Sequence, residues 1–204
     1  MKIICIGRNY AKHAAELNNP VPEEPVVFMK PDTAILLKKH PFFIPEHSNE
    51  VHHEIELVVK INRLGKHIES RFAHKYYDEV GLGIDFTARD VQADCKKKGL
   101  PWEKAKAFDG SAAVSRFFKI KELNQPITNI PFHLDINGKT VQSGNTKNML
   151  FPVDKLIAHV SKYFTLKTGD LLFTGTPAGV GQVYKNDLLE LYLEDKRIFY
   201  FNVK

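Results

Sequence analysis

Short apolar segments separated by prolines and glycines are the feature that most limits what this chain can fold into. The 204 residues include 11 Pro and 12 Gly, and the stretches between them are mostly brief runs rich in Val, Ile, Phe and Leu. Runs of this kind are typical of β-strands. We predict strands at residues 2–6, 26–30, 34–37, 52–61, 79–85, 130–136, 139–142, 170–174, 187–192 and 198–203.

Helical patterns are fewer and shorter. Residues 9–17 place Asn9 at a plausible N-cap and end at Asn18-Asn19-Pro20, residues 152–164 carry apolar side chains at a spacing close to 3.6, and residues 87–98 stop at Gly99. No repeat or flexible linker divides the chain. We therefore predict one mostly β domain of the α+β class over residues 1–204, with short helices beside the sheet.

Composition excludes several classes of protein. No apolar stretch approaches the roughly 20 residues that span a bilayer, and the N-terminal run is too short for a signal peptide, so we expect a cytoplasmic protein with no membrane contact. Cys5 and Cys95 stand far apart in the sequence, which favours two reduced thiols.

The 29 basic against 24 acidic residues leave a formal charge of +5, which raises the question of an anionic partner. The short lysine runs lack any accompanying nucleic-acid motif, so we expect no nucleic acid.

Glu54 and Glu56 belong to a predicted strand. Since side chains alternate along a strand, both carboxylates face one way, whereas Ile55, Leu57 and Val59 face the apolar layer. Paired carboxylates in a partly buried place favour a hard cation such as Mg²⁺, Mn²⁺ or Ca²⁺. The alternative is the solvated face of an edge strand.

Asp85 is a candidate third carboxylate. It ends the apolar run Gly81-Leu82-Gly83-Ile84, and a polar segment follows it. Strand ends often face a cleft, so Asp85 is a candidate for the same site as the two glutamates. The alternative is an N-cap for the helix that starts near Thr87.

Six segments together resemble the fumarylacetoacetate hydrolase family, most closely its small, single-domain acylpyruvate hydrolase branch. They follow the family's order along the whole chain: Gly7-Arg8-Asn9-Tyr10-Ala11 with His13 and Glu16, Phe28-Met29-Lys30-Pro31, His53-Glu54-Ile55-Glu56-Leu57, Asp85-Phe86-Thr87-Ala88-Arg89-Asp90-Val91-Gln92, Lys96 to Trp102, and Phe173 to Gly181. The resemblance implies a mixed β-roll or sandwich-like fold, a divalent metal (Mg²⁺, or Mn²⁺, with Ca²⁺ as a further candidate) and a homodimer. It also implies that Glu54, Glu56 and Asp85 are the metal ligands.

His13 and Glu16 lie three residues apart on one face of the first predicted helix. A carboxylate that orients a histidine supports its action as a general base, although such a pair is more often a surface feature. The resemblance implies that this pair activates water, on a segment spanning residues 8–22 that closes as a mobile lid.

Further site residues are implied by the resemblance alone. Lys106 matches a lysine that stabilises developing negative charge, and four residues match positions that contact the substrate: Arg8, Lys30, Gln92 and Thr176. The segment after Asp109 reads Val114-Ser115 where many members have Gly-Pro, so this part of the pocket departs from the family pattern.

These residues lead to a functional hypothesis: a metal-dependent hydrolase that cleaves the C3–C4 bond of a 2,4-dioxo acid, an acylpyruvate, to a carboxylic acid and pyruvate. The expected partner is a small anionic 2-oxo acid. One alternative uses the same site for oxaloacetate decarboxylation or tautomerisation, or for isomerisation and hydration of a dienoic oxo acid such as 2-hydroxyhepta-2,4-diene-1,7-dioate. Another alternative is a catalytically silent metal-binding protein.

Overall fold

Fourteen strands form three sheets in the computed structural model, which describes residues 1–204. The strands are β1 Ile3–Gly7, β2 Val26–Lys30, β3 Val51–His53, β4 Ile55–Ile61, β5 Tyr77–Asp85, β6 Thr87–Ala88, β7 Ala112–Val114, β8 Phe118–Lys119, β9 Pro131–Ile136, β10 Lys139–Asn145, β11 Leu171–Phe173, β12 Gly181–Gln182, β13 Leu188–Leu193 and β14 Lys196–Asn202. The mostly β fold class predicted from the apolar runs is confirmed.

Helices are few and short. The α-helices are α1 Ala11–Glu16, α2 Arg89–Lys98, α3 Glu103–Lys106 and α4 Val153–Tyr163, and single 3₁₀ segments occupy Asp32–Ala34, Ser70–Tyr76, Ile120–Glu122, Ile127–Asn129 and Thr146–Asn148. No helix combines the length and the apolar character needed to cross a membrane.

The largest sheet has seven strands in the order β2-β1-β11-β4-β5-β7, with β8 also paired to β5. Its pairs are antiparallel except for β1 and β11, which run parallel. The sheet therefore joins the beginning of the chain to a strand near its end. Strand β4 is buried on both faces, because Leu57 and Val59 lie in the main core and Val58 lies in a smaller cluster with Cys5 and Phe173.

The second sheet has the order β10-β9-β13-β14 and contributes Phe132, Leu134, Leu189 and Leu191 to the main core. Helix α4 buries Val153, Leu156, Ile157 and Val160 in the same core, which agrees with their helical spacing. A third sheet, β12-β3-β6, is small. It brings the chain just before β4 beside the chain just after β5.

The predicted strand at residues 34–37 is wrong. Asp32–Ala34 forms a 3₁₀ turn after Pro31, in which the backbone N–H groups of Ala34 and Ile35 donate to Pro31 and Asp32. Only an isolated bridge joins Ile35 to Ala112. Local turn bonds satisfy the backbone here, so the apolar composition alone was misleading.

Three element boundaries also differ from the predictions. Asn9 is not the N-cap of α1, since Tyr10 takes that position and the Asn9 amide donates to the carbonyls of Phe151 and Thr174. Helix α2 begins at Arg89 rather than Thr87, because Thr87 and Ala88 first pair with β3. The predicted strand 52–61 divides at Glu54, where the chain passes from the small sheet into the large one.

Candidate active site

Three carboxylates meet at the edge of the large sheet where strand β4 begins and strand β5 ends. Glu54, Glu56 and Asp85 are all buried, and one ligand oxygen from each lies within 4.8 Å of the others. The register places Glu56 beside Gly83, and the Asp85 N–H donates to the Glu54 carbonyl at 2.9 Å. The two glutamates share one face, as the strand alternation predicts, and Asp85 caps no helix.

The donor set of this triad fits a divalent cation. All of its ligand atoms are oxygen, the choice of hard ions. Buried Asp85 Oδ1 has the Lys30 ammonium 2.7 Å away, and no hydrogen bond uses its remaining lone pair. Burial, together with the charges of Asp85 and Glu54, raises the pKa of Glu56 well above its usual range. Such a cluster is compensated best by a positive ion.

Two cationic side chains, Lys106 and Arg89, donate hydrogen bonds to the triad. Lys106 Nζ donates to Glu54 Oε2 at 2.9 Å, to Asp85 Oδ2 at 2.7 Å and to Thr87 Oγ1 at 2.6 Å. Arg89 donates to the other Glu54 oxygen. Burial alone raises the pKa of Glu54, but the Lys106 and Arg89 cations outweigh it and hold this pKa well below its usual range. Conversely, burial alone lowers the pKa of Lys106, and the Asp85 and Glu54 charges hold it above its usual value.

Lys30 lies beneath the triad and does not line the cavity. Its ammonium is 2.7 Å from Asp85 Oδ1, but its hydrogen bonds go to Lys106 and Ser111, including Ser111 Oγ at 3.0 Å. The Lys30 side chain is fully buried. The structure therefore places Lys30 as a support for Asp85 and α3, away from the surface that a substrate would touch.

Helix α1 brings His13 to the same cavity, with Glu16 beside it. His13 is buried and lines the cavity, and its Nδ1 lies 3.3 Å from Glu16 Oε2. A carboxylate accepts only, so Nδ1 carries the hydrogen in this contact, and Nε2 is the nitrogen with the lone pair in the neutral ring. Glu16 also accepts from the Gly179 N–H, which ties α1 to the glycine-rich loop 174–181.

The glycine-rich loop 174–181 closes the opposite side of the triad. The Gly175 N–H donates to Glu56 Oε2 at 2.6 Å, and the Thr176 hydroxyl donates to the Ile55 carbonyl at 2.8 Å. Gly175 has a φ of +99°, and a Cβ there would lie 2.6 Å from Asn9 Cβ, so this position requires glycine. Thr176 lines the cavity as predicted, but its hydroxyl is already engaged with the protein.

Four cationic side chains line the cavity against three carboxylates: Arg8, Arg89, Lys96 and Lys106. Arg8 takes a φ of +60°, an unusual conformation for a non-glycine residue and one often found at functional sites. Partial burial, with the charges of Arg8 and Arg89 nearby, lowers the pKa of Lys96. With a divalent ion bound, the cavity would carry net positive charge, which suits a dianion.

Sequence reasoning did not assign Arg89, Lys96, Phe28 or Trp102 to the site, although all four line the cavity. Helix α2 carried a usable signal, since Arg89, Gln92 and Lys96 follow the i, i+3, i+7 spacing of one helix face. Gln92 is buried on this face and accepts from Arg89 at 2.8 Å. The two aromatic rings meet edge to face, 6.0 Å apart, and no local pattern indicated this contact.

Comparison with known proteins identifies close relatives. Residues 2–199 match the family model described as fumarylacetoacetate (FAA) hydrolase C-terminal. The chain is 44% identical over 188 residues to the oxaloacetate tautomerase YcgM of Escherichia coli (strain K12), covering 92% of this chain and 86% of that protein. It is 42% identical over 188 residues to the mitochondrial oxaloacetate tautomerase FAHD1 of Bos taurus, covering 92% of this chain and 85% of that protein.

A solved structure supports the same relationship. The fumarylpyruvate hydrolase of Pseudomonas aeruginosa, in complex with Mn²⁺ and pyruvate, superposes with a TM-score of 0.93 at 31% identity. The match covers all of this chain and 89% of that one. The family resemblance and the fold that the sequence implied are thus confirmed.

Proposed function

The chain belongs to the fumarylacetoacetate hydrolase family, and we propose that it is a metal-dependent enzyme that interconverts the keto and enol tautomers of oxaloacetate. Relatives named oxaloacetate tautomerase support this choice. Tautomerisation was the alternative in the sequence analysis, and it has more support than the C–C hydrolysis that was the main hypothesis. A more distant relative named fumarylpyruvate hydrolase keeps hydrolysis as the second candidate.

One observation carries the proposal. A buried carboxylate triad and a carboxylate-held histidine line or adjoin a single cavity, whose wall is otherwise rich in cations. The cations fit a small substrate with two carboxylates, and the histidine supplies a base for a proton next to a carbonyl. Tautomerisation needs only these elements, because no water has to be activated and no carbon–carbon bond breaks.

Glu54, Glu56 and Asp85 would hold the divalent ion, which we propose is Mg²⁺ or Mn²⁺. When bound, such an ion polarises a 2-oxo group and thereby acidifies the neighbouring CH₂. The presence of Mn²⁺ in the related hydrolase supports this ion class.

Substrate carboxylates would be held by Arg8, Arg89 and Lys96, with Gln92 as a further donor. Arg89 is fixed by its bonds to Glu54 and Gln92, so its orientation is set before the substrate arrives. The Thr176 hydroxyl is engaged with Ile55, which leaves the backbone N–H of Thr176 as the donor that this residue can offer.

Proton transfer would be carried by His13. Its Nδ1–H faces Glu16, so Nε2 takes a proton from C3 as the C3–H bond breaks. The Lys106 cation stabilises the negative charge that develops on the C2 oxygen, solvent supplies the proton that this oxygen takes up, and solvent accepts the proton from His13. The reverse sequence returns the enol to the keto form.

Three assays on two substrates test the reaction. We would follow tautomer interconversion of oxaloacetate by ultraviolet absorbance, pyruvate release from oxaloacetate, and pyruvate release from acetylpyruvate, each with Mg²⁺ or Mn²⁺. We expect the tautomer reaction to have the highest kcat/KM. Faster cleavage of acetylpyruvate would support the hydrolase instead, faster pyruvate release from oxaloacetate would support a decarboxylase, and no turnover would support a silent metal-binding protein.

Two further expectations accompany the proposal. We propose a homodimer, for which light scattering in solution should give twice the chain mass of 23.3 kDa. We also propose that residues 8–22 open and close over the cavity. Opening would break the hydrogen bond that the Gly179 N–H donates to Glu16.

A further inference from the structure

Gln142 is buried in strand β10, which belongs to the four-stranded sheet and not to the sheet that carries the triad. The pairing of β10 with β9 shifts between Thr140 and Gln142. At this irregularity the Gln142 amide forms four hydrogen bonds. Its oxygen lies 3.0 Å from the Ile55 nitrogen and 2.8 Å from His53 Nδ1, and its nitrogen lies 3.0 Å from Thr176 Oγ1 and 2.9 Å from the Pro177 carbonyl oxygen.

The partners fix which way this amide points. A backbone N–H only donates and a carbonyl only accepts, so the oxygen must face Ile55 and the NH₂ must face Pro177. Since the amide oxygen accepts, His53 donates to it through Nδ1. Since the amide NH₂ donates to Thr176 Oγ1, the Thr176 hydroxyl gives its own hydrogen to the Ile55 carbonyl. Every hydrogen-bonding group of the Gln142 side chain is used.

The loop held by Gln142 contacts both halves of the candidate active site. On one side of Thr176, the Gly175 N–H donates to the triad residue Glu56. On the other side, the Gly179 N–H donates to Glu16, the partner of His13. The loop also packs tightly on β10, because a Cβ at Gly179 would lie 2.6 Å from the Val141 carbonyl oxygen.

We propose that Gln142 is a positioning residue for the active site. Its two N–H donors hold Thr176 and Pro177 against Ile55, and this sets the loop so that Gly175 reaches Glu56 while Gly179 reaches Glu16. Gln142 does not line the cavity, so it acts through the loop and not on the substrate. The effect on turnover rests on the proposed function, whereas the effect on the loop does not.

Two variants separate the two halves of the amide. Gln142→Glu keeps the oxygen that faces Ile55 and His53 but replaces the donor that faces Thr176 and Pro177. Gln142→Met removes both halves at similar volume and introduces no charge, which guards against misfolding from a buried carboxylate. Thr146→Val is the matched control, because the buried Thr146 hydroxyl accepts from the Ile130 N–H at 2.8 Å, just after the same strand, and Thr146 neither hydrogen-bonds to the loop nor lines the cavity.

Hydrogen exchange and steady-state kinetics are the measurements. In the protein without added metal, we expect amide exchange over residues 174–181 to rise at least about tenfold in both Gln142 variants and to stay unchanged in Thr146→Val, although all three lose thermal stability. With Mn²⁺ and oxaloacetate, we expect kcat to fall about 100-fold in the Gln142 variants and less than about twofold in the control.

The outcomes are distinguishable. Unchanged exchange in the loop of both Gln142 variants would overturn the positioning role. Faster exchange with kcat equal to that of Thr146→Val would overturn the link from loop to chemistry. If the wild-type protein has no tautomerase activity, the proposed function fails, and the exchange measurement still decides whether Gln142 holds the loop.

Discussion

The Glu16 carboxylate accepts the backbone N–H of Gly179, with distances of 3.0 Å from the nitrogen to Oε1 and 3.2 Å to Oε2. The same carboxylate lies 3.3 Å from His13 Nδ1. One side chain therefore joins helix α1, the glycine-rich loop and the candidate base. Loss of this contact would release the helix and the histidine together.

Glu16→Gln should lower turnover while leaving the fold intact. The amide can still accept from Gly179, but it carries no charge to support protonated His13, so we expect kcat for oxaloacetate tautomerisation to fall at least about 100-fold. Glu24→Gln is the control, since Glu24 is exposed and belongs to the segment that follows α1. Equal kcat in Glu16→Gln and wild type would contradict a role for the pair in proton transfer.

Glu54→Gln should weaken metal binding. The substitution removes one of three buried negative charges and leaves Lys106 and Arg89 less compensated, so we expect the Kd for Mn²⁺ by calorimetry to rise at least about 100-fold. Glu50→Gln, four residues earlier, should leave that Kd unchanged.

Dialysis of the wild-type protein against a chelator should abolish turnover, and Mn²⁺ or Mg²⁺ should restore it. Full activity after complete metal removal would exclude a metal-dependent reaction.

Arg89→Lys should raise KM more than it lowers kcat. Lysine cannot reproduce the fork by which Arg89 contacts Glu54 and Gln92 at once, so the cation should lose its fixed orientation. We expect KM for oxaloacetate to rise about tenfold, with a further rise at high salt in both proteins. Lys97→Ala on the exposed side of the same helix should change neither constant. An unchanged KM in Arg89→Lys would remove Arg89 from the substrate contacts.

Asp90→Asn should destabilise the protein near neutral pH but not in acid. Burial alone raises the pKa of Asp90, but hydrogen bonds from Ser48, Asn49 and Val91 outweigh it and lower the pKa below 3.8. A lowered folded-state pKa stabilises the protein above the unfolded-state value, and this contribution disappears as the pH falls through the folded-state pKa.

We therefore expect Asp90→Asn to lose about 1 kcal/mol of unfolding free energy at pH 7, measured by urea denaturation of the metal-free protein, and its difference from wild type to shrink as the pH falls through the folded-state pKa of Asp90. Asp94→Asn is the control on the same helix, because the Asp94 pair with Lys98 is exposed and should contribute little. A difference between Asp90→Asn and wild type that is constant with pH would contradict the assigned role of the charge.

The sequence motifs of the site identify the family but not the reaction. A carboxylate triad with a nearby base suits hydrolysis, decarboxylation and tautomerisation of 2-oxo acids alike, because each of these reactions develops negative charge beside a polarised carbonyl. The family follows from the segments that carry Glu54, Glu56 and Asp85, and it is confirmed. The preference for tautomerisation rests on the named relatives and on the side chains that line the cavity, and the residue types in one chain do not specify it.

The sequence by itself determined the mostly β fold class, all but one of the predicted strands, and the shared face of Glu54 and Glu56, because these follow from side-chain alternation over a few neighbouring residues. Only the tertiary structure decided that Lys30 supports Asp85 from beneath, that Arg89 lines the cavity, and that Gln142 holds the loop next to Glu56. The contact between Gln142 and Thr176 joins residues 34 positions apart, and the hydrogen bond that the Ile55 N–H donates to Gln142 spans 87 positions. The partner of a buried amide is set by how two sheets pack together, and no local pattern of residues encodes that packing.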